Sequence, residues 1–128
     1  MAAETGDVDV RGFSLFSGVG RIAIGLGMLA APGPALRALG FTEVNAATVA
    51  VARIAGIRDL VLGGLTLTAL GERDRLRKAT IGNALADAGD SLAFVAAIGA
   101  EERTAGLRGV ATALPATLAG LWVAWRLS

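Results

Sequence analysis

Two aspartates and an asparagine lie at helical spacing within an otherwise apolar stretch of the chain. Asn83, Asp87 and Asp90 follow one another at intervals of four and three residues, and at about 100° per residue they share one helix face. A carboxyl group in a low-dielectric cavity holds its proton more tightly, so it can donate or accept a proton near neutral pH. Asp87 and Asp90 are therefore candidate catalytic acid/base residues, and Asn83 and the nearby Ser91 are candidate binding residues.

Four more charged residues interrupt the apolar segments that precede these aspartates: Arg21, Arg53, Arg58 and Asp59. On insertion scales, each charge at the centre of a membrane costs about 2.5–3.5 kcal/mol. Since the apolar segments hold three positive and three negative charges, we expect these side chains to pair across neighbouring helices.

The spacing of these charges predicts how they pair. Arg58 and Asp59 point about 100° apart on a helix, so we expect them to reach two different neighbouring helices, while Arg53 extends to an interface. With Arg58 occupied by Asp59, Arg21 is the arginine expected within reach of both candidate acids. One of those acids is then ion-paired, and the other is protonated or binds a ligand. Arg21, Arg58 and Asp59 are thus further candidate binding residues.

The composition is that of a membrane protein. Hydrophobic residues make up 54% of the 128 residues and charged residues 18%, with 18 glycines, whereas a soluble domain is about 25% charged. The chain has no Cys and no His, which excludes disulfides, the usual zinc sites and Ser-His catalysis. Its net charge of +1 argues against a nucleic-acid partner. We expect no cofactor and no bound metal.

Four apolar segments are separated by short breaks that are charged or contain Pro and Gly. Each is about long enough to cross a hydrocarbon core of about 30 Å as a helix. The sequence therefore predicts an all-α fold, a single-domain four-helix transmembrane bundle over residues 1–128 in a lipid bilayer. The predicted spans are about 13–31, 46–70, 79–100 and 109–125.

The breaks between the segments also predict an orientation. The first break is a helix stop at Ala31–Pro34, and the second is the charged loop Glu72–Lys78. Six Lys and Arg residues lie on the side of the two termini and the second loop, against three in the other two loops. This distribution favours cytoplasmic N- and C-termini in the inner membrane. The acidic N-terminal residues predict no cleaved targeting segment.

The stretches "GRIAIGLGMLAAP" (Gly20–Pro32) and "ARIAGIRDLVLGG" (Ala52–Gly64) resemble a family of small four-span bacterial integral membrane proteins of unknown function, broadly similar to DoxX-like proteins. The resemblance covers about residues 13–125 and depends on Arg21 and on the pattern Arg-x-x-Gly-x-Arg-Asp-Leu from Arg53. It implies a four-helix membrane protein and no established activity. Arg21, Arg53, Arg58 and Asp59 thus belong to the family's pattern without a catalytic role, and "NALADAGD" lies outside it.

Three functions are compatible with these residues. The charges can form a buried structural network in a protein that assembles or supports other membrane proteins. They can form an intramembrane acid/base site that binds or converts a lipophilic small molecule by cyclisation, isomerisation or epoxide opening. The alternative is a small proton- or cation-coupled transporter, for which four helices are few unless the chain forms a homodimer. Whether the protein is an enzyme is open from the sequence.

Overall fold

The computed structural model is all-helical. It describes residues 2–99 and 102–128, with side chains from residue 9 onward, and this part of the chain contains no strand. There are five helices: α1 (Ala2–Ala30), α2 (Pro32–Leu39), α3 (Ala46–Thr68), α4 (Arg73–Ile98) and α5 (Arg103–Arg126).

The short helix α2 lies where the sequence predicted a break and a loop. Helix α1 ends at Ala30 as expected, but Pro32 then starts a new helix, since proline is tolerated in a first turn, where its missing N–H has no helical partner. Gly40 ends α2 with φ 98°, a left-handed conformation that favours glycine. The predicted helix stop is therefore a bend between two helices.

The predicted boundaries of α1, α4 and α5 are also too narrow, whereas the predicted span 46–70 agrees closely with α3 (Ala46–Thr68). The segment predicted as the loop Glu72–Lys78 forms the first turns of α4 from Arg73, and α5 begins at Arg103 rather than near 109. Helix α1 likewise begins well before Phe13. Arg, Lys and Glu are good helix formers, so the helices continue beyond their apolar residues. The predicted end of the third span at Ala100 falls outside the described residues.

The four long helices pack as two close pairs, α1 with α3 and α4 with α5, and the two pairs contact each other little. Glycines bring α1 and α3 together: a Cβ on Gly25 would lie 2.7 Å from the carbonyl oxygen of Gly56, and one on Gly63 would lie 2.7 Å from that of Gly18. Such small residues let helix backbones touch inside membranes. In the second pair, Gly109 lies against the Phe94 ring.

The two ends of the bundle are joined by different contacts. At one end, apolar side chains from α1, α4 and α5 and from the turn after α3 form a buried cluster of Val10, Ala69, Leu76, Val123 and Leu127. At the other end, Glu102 accepts hydrogen bonds from the loop before α3, and Arg108 donates to the carbonyl oxygen of Ala38. The start of α4 and the chain's C-terminus therefore lie at the same end.

The distribution of polarity is the reverse of that in a soluble protein. Large apolar side chains are exposed on all four long helices, such as Ile54 at 68% and Leu92 at 73%. Buried positions instead include charged residues such as Arg21, Asp59 and Asp87. Soluble proteins bury large apolar residues and almost never bury unpaired charges, so this outer surface matches an apolar solvent.

Three helical segments are long and apolar enough to cross a membrane: Asp9–Ala30, Arg73–Ile98 and Arg103–Arg126. Helix α3 has 23 residues but carries Arg53, Arg58 and Asp59. The structure is therefore all-helical, with three candidate spans, and is consistent with a membrane protein. The predicted fourth span remains a prediction.

Candidate functional site

Arg21 on α1 joins α3 and α4 through ion pairs. Its Nη1 donates to Oδ1 of Asp59 at 2.9 Å, and its Nη2 donates to both carboxylate oxygens of Asp87 at 2.6 Å. The same Nη2 makes a longer bond of 3.4 Å to the main-chain oxygen of Asn83. All three charged side chains are buried, so this arginine links three helices inside the bundle.

Arg58 forms a second junction, between α3 and α4. Its Nη1 and Nη2 bind the two oxygens of Asp90 at 2.6 and 2.8 Å, the bidentate geometry in which Arg binds carboxylates most strongly. Nη2 also donates to Oδ1 of Asp59 at 3.2 Å. Because Asp59 Oδ1 accepts from Arg58 and from Arg21, the five charged side chains form one continuous network.

Asn83 attaches a neutral branch to this network. Its Nδ2 donates to Oγ1 of Thr66 at 2.9 Å, and that hydroxyl donates to the carbonyl oxygen of Leu62. The sequence analysis did not identify Thr66. Its position seven residues after Asp59, two helical turns along the same face, is the signal that identifies it.

The pairing inside the network differs in part from the prediction. Arg58 and Asp59 do reach two different helices, as expected, since Arg58 binds Asp90 on α4 and Asp59 binds Arg21 on α1. The expectation that Arg21 approaches both candidate acids, leaving one unpaired, is wrong. Adjacent residues on a helix do not face each other, so Arg58 binds Asp59 only weakly and extends to Asp90 instead.

Two further predicted residues lie outside the network. The buried hydroxyl of Ser91 donates to the main-chain oxygen of Asp87 at 2.8 Å and takes no part in the ion pairs. Arg53 is exposed on the outer face of α3, and its extension to a membrane interface stays a prediction. Neither residue lines the cavity described next.

A cavity of about 860 Å³ lies between the two helix pairs, with residues of all five helices in its walls. Its walls are mostly apolar, and aromatic rings from α1, α4 and the loop after α2 contribute to them: Phe13, Phe16, Phe41 and Phe94. All five charged residues of the network line it as well. Ligand pockets are typically about 300–1,000 Å³, apolar, and supplied with a few polar groups.

Several polar atoms at this site have no partner among the described residues. Nε of Arg21, Nε of Arg58 and Oδ1 of Asn83 are buried without a hydrogen bond. Asp59 accepts both of its bonds at Oδ1, so its Oδ2 accepts none. An unmade hydrogen bond at a buried group costs about 1–3 kcal/mol. The two Nε atoms therefore mark where the site can donate a further bond, and Oδ1 of Asn83 marks where it can accept one; Oδ2 of Asp59 is a further acceptor.

The aspartates of the network do not form a metal site. Within the described residues, no group of three or more acidic, His or Cys side chains is placed to hold an ion. Each aspartate faces an arginine instead, at 2.6 to 2.9 Å.

Comparison with known proteins adds no relative to this description. No protein-family model, no curated protein and no solved structure matches the chain. The resemblance to DoxX-like proteins therefore stays a prediction.

Proposed function

We propose that this chain is an integral membrane protein of four spans that binds a lipophilic small molecule in the cavity between its helix pairs. The fourth span is α3. Arg58 and Asp59 turn inward to the network, while the outer face of α3 carries a stripe of exposed apolar side chains outside the cavity: Ile54, Ile57, Val61 and Leu65. With its two inner charges paired and the exposed Arg53 extending to the interface, α3 presents lipid with a mostly apolar surface.

The termini are placed in the cytoplasm of a cell with an inner membrane. Four spans put both termini on one side, and the basic start of α4 lies at the same end of the bundle as the C-terminus, where Arg73 donates to the carbonyl oxygens of Arg126 and Leu127. Basic residues favour the cytoplasmic face. The guanidinium of Arg126 lies 4.8 Å from the centre of the Trp122 ring, an arrangement suited to the membrane interface.

The main support for the binding proposal is that the charged network lies in the cavity wall. A network with only a structural role needs no space beside it, yet this one borders about 860 Å³ with mostly apolar walls. Polar atoms confined to one region of an apolar cavity suit an amphiphile, whose tail contacts the walls and whose head group meets the network.

The geometry favours binding over acid/base conversion at the predicted acids. Asp87 and Asp90 are each bound by an arginine through both carboxylate oxygens. Both oxygens of each carboxylate are therefore already occupied by guanidinium donors. The oxygen that is free to meet a ligand belongs to Asp59 instead.

A cavity-filling variant tests this function. Ala116 on α5 lines the cavity, whereas Ala111 on the same helix is exposed and lies outside its walls. We expect tritiated decan-1-ol or decylamine, two probes with the same tail, to bind saturably to the detergent-purified parent and to Ala111→Phe in a scintillation proximity assay. Binding is lost in Ala116→Phe. If neither probe binds saturably to the parent, or if Ala116→Phe binds as the parent does, the cavity is not a ligand site.

A further inference from the structure

The charged residues that line the cavity are not balanced. Arg21 and Arg58 supply two positive charges, and Asp59, Asp87 and Asp90 supply three negative ones. Helix α5, which forms the facing wall, has no charged residue between Arg108 and Arg126. With all five side chains ionised, the site therefore holds one uncompensated negative charge, which is costly in a low-dielectric interior.

Two oxygen atoms without hydrogen-bond partners in the described part of the chain show where a compensating positive charge can bind. Asp59 and Asn83 are 8% and 6% exposed, and both line the cavity. Oδ2 of Asp59 and Oδ1 of Asn83 accept no hydrogen bond from the described residues. Both are acceptors, and Arg21 connects their residues by donating to the Asp59 carboxylate and to the main-chain oxygen of Asn83. At these two oxygens the site thus lacks a positive charge and hydrogen-bond donors, while the buried Nε atoms of Arg21 and Arg58 are donors without an acceptor among the residues that the structure describes.

We propose that the cavity takes an amphiphile with a primary ammonium head group, bound at Asp59 Oδ2 and Asn83 Oδ1, with its apolar tail along the cavity walls. This inference rests on the proposed ligand-binding function and adds the class of ligand. A primary ammonium has three N–H donors and one positive charge, so it supplies both features that the site lacks. An alcohol offers a donor without charge, a quaternary ammonium offers charge without a donor, and a carboxylate increases the negative charge.

Four decyl compounds with the same tail test the proposal on the unaltered protein: decylamine, decan-1-ol, decyltrimethylammonium and decanoate. Hydrogen bonds to charged groups are stronger than those between neutral groups, so we expect decylamine to bind about tenfold or more tightly than decan-1-ol at pH 7. The quaternary ammonium binds less tightly than decylamine, and decanoate binds least. Each affinity is determined from the part of the binding that is absent in Ala116→Phe, so that uptake of the compound by the detergent micelle is not counted.

A charge-removing variant gives an independent comparison. Asp59→Asn removes the excess charge, so we expect decylamine to lose its advantage while decan-1-ol still binds; Asp74→Asn, an exposed change on α4 outside the cavity, leaves the advantage unchanged. If Asp59→Asn fails to fold, the parent's four-compound series decides alone.

Equal, cavity-dependent affinities for decylamine and decan-1-ol overturn the ammonium proposal and leave the binding function standing. Equal affinities for the two ammonium compounds overturn the hydrogen-bonded head group. The binding function itself fails if no decyl compound binds saturably to the parent, or if Ala116→Phe binds as the parent does.

Discussion

Arg21 holds three helices together, because its two terminal nitrogens bind carboxylates on α3 and α4. It is buried together with both partners. The pair formed by Arg58 and Asp90 has equally short bonds, but its side chains are 35% and 31% exposed. We therefore expect stability to depend more on the ion pairs of Arg21 than on the pair of Arg58 with Asp90. An ion left unpaired in the interior costs far more free energy than one that water can reach.

Arginine-to-alanine substitutions should therefore rank by burial. Arg21→Ala leaves Asp59 and Asp87 without their main donor and is expected to lower the free energy of unfolding by about 3–5 kcal/mol. Arg58→Ala should lower it by less, since Asp90 is part exposed, and the matched control Arg53→Ala should change it little. Unfolding by SDS in mixed micelles, followed by circular dichroism, measures all three. A loss in Arg53→Ala as large as that in Arg21→Ala would contradict this ranking.

Sequence reasoning identified the members of the network better than their partners. Spacing shows which residues share a helix face, so Asp87, Asp90 and Asn83 were predicted together, and the matched charges predicted pairing. Which arginine meets which aspartate depends on the offset between helices and on the reach of each side chain. These quantities arise from packing, and for this reason the unpaired oxygen was expected on α4 and lies on Asp59 of α3.

At the scale of the elements, α1 and α3 lie in contact because glycines face each other at two levels. Gly63 and Gly64 are neighbours on α3 and provide a matched comparison. A Cβ at Gly63 meets the carbonyl oxygen of Gly18 at 2.7 Å, whereas one at Gly64 meets nothing within 4 Å. The same close contact places Arg21 opposite Asp59, so helix packing and network geometry are coupled.

Gly63→Ala should separate the helices and lower the free energy of unfolding by about 1–3 kcal/mol, the usual effect of overpacking. Gly64→Ala should be neutral or slightly stabilising, because alanine has the higher helix propensity. Unfolding midpoints of both variants in the same detergent check this. Equal effects of the two substitutions would mean that the helices do not touch at Gly63.

The end of the bundle opposite the termini is closed by Glu102. Its carboxylate accepts hydrogen bonds from the main-chain N–H of Thr42 at 3.1 Å, from the Thr42 hydroxyl at 2.9 Å and from the N–H of Glu43 at 3.3 Å. These bonds, with that from the Thr42 N–H the strongest, lower the pKa of Glu102 below its ordinary value. The ionised carboxylate thus joins the start of α5 to the loop before α3.

A pH dependence follows from this lowered pKa. The contribution of Glu102 to stability is complete above the pKa of a glutamate in the unfolded chain, about 4.3, and is lost as the pH falls through the lower folded pKa. Glu102→Gln should therefore be less stable than the parent at pH 7, with the difference disappearing in acid. Thermal unfolding at a series of pH values measures it, with Glu43→Gln in the same loop as the control. A difference that persists unchanged at low pH would exclude ionisation as its cause.

The helices themselves were predictable in kind and approximate position. The four apolar segments correspond to the four long helices α1, α3, α4 and α5, since an apolar stretch of about 20 residues is typical of a helix that can cross a membrane. Helix α2 was not predicted because a Pro-Gly-Pro sequence normally ends a helix. Its end is held by a tertiary contact, the hydrogen bond from Arg108 to the carbonyl oxygen of Ala38, which the sequence does not reveal. The charged start of α4 was not predicted because hydropathy shows where apolar residues begin, whereas a helix can begin among the charged residues that precede them.

At the scale of the whole molecule, the cavity results from uneven packing. Glycines draw α1 to α3 and α4 and α5 to each other, while the two pairs meet mainly through the long side chains of the network. The space between the pairs could not be predicted from the sequence, because the same glycines are compatible with other pairings of four helices. The bundle that results keeps its charges inside and presents large apolar side chains on its outer surface.

In this account the bundle lies in a bilayer, α3 spans it completely, and Arg58 and Asp59 of α3 face inward. Two adjacent positions test it: Ile54 is exposed on the outer face of α3, and Ala55 lines the cavity. Because the chain has no Cys, a nitroxide attached to Ile54→Cys or to Ala55→Cys reports one position only. The measurement is electron paramagnetic resonance in liposomes, with relaxation by oxygen, which concentrates in lipid, compared with relaxation by a water-soluble nickel chelate. The label at Ile54 should be relaxed strongly by oxygen and little by nickel, and the label at Ala55 should be relaxed less by oxygen. Stronger relaxation by nickel than by oxygen at Ile54 would place α3 in water and contradict the account.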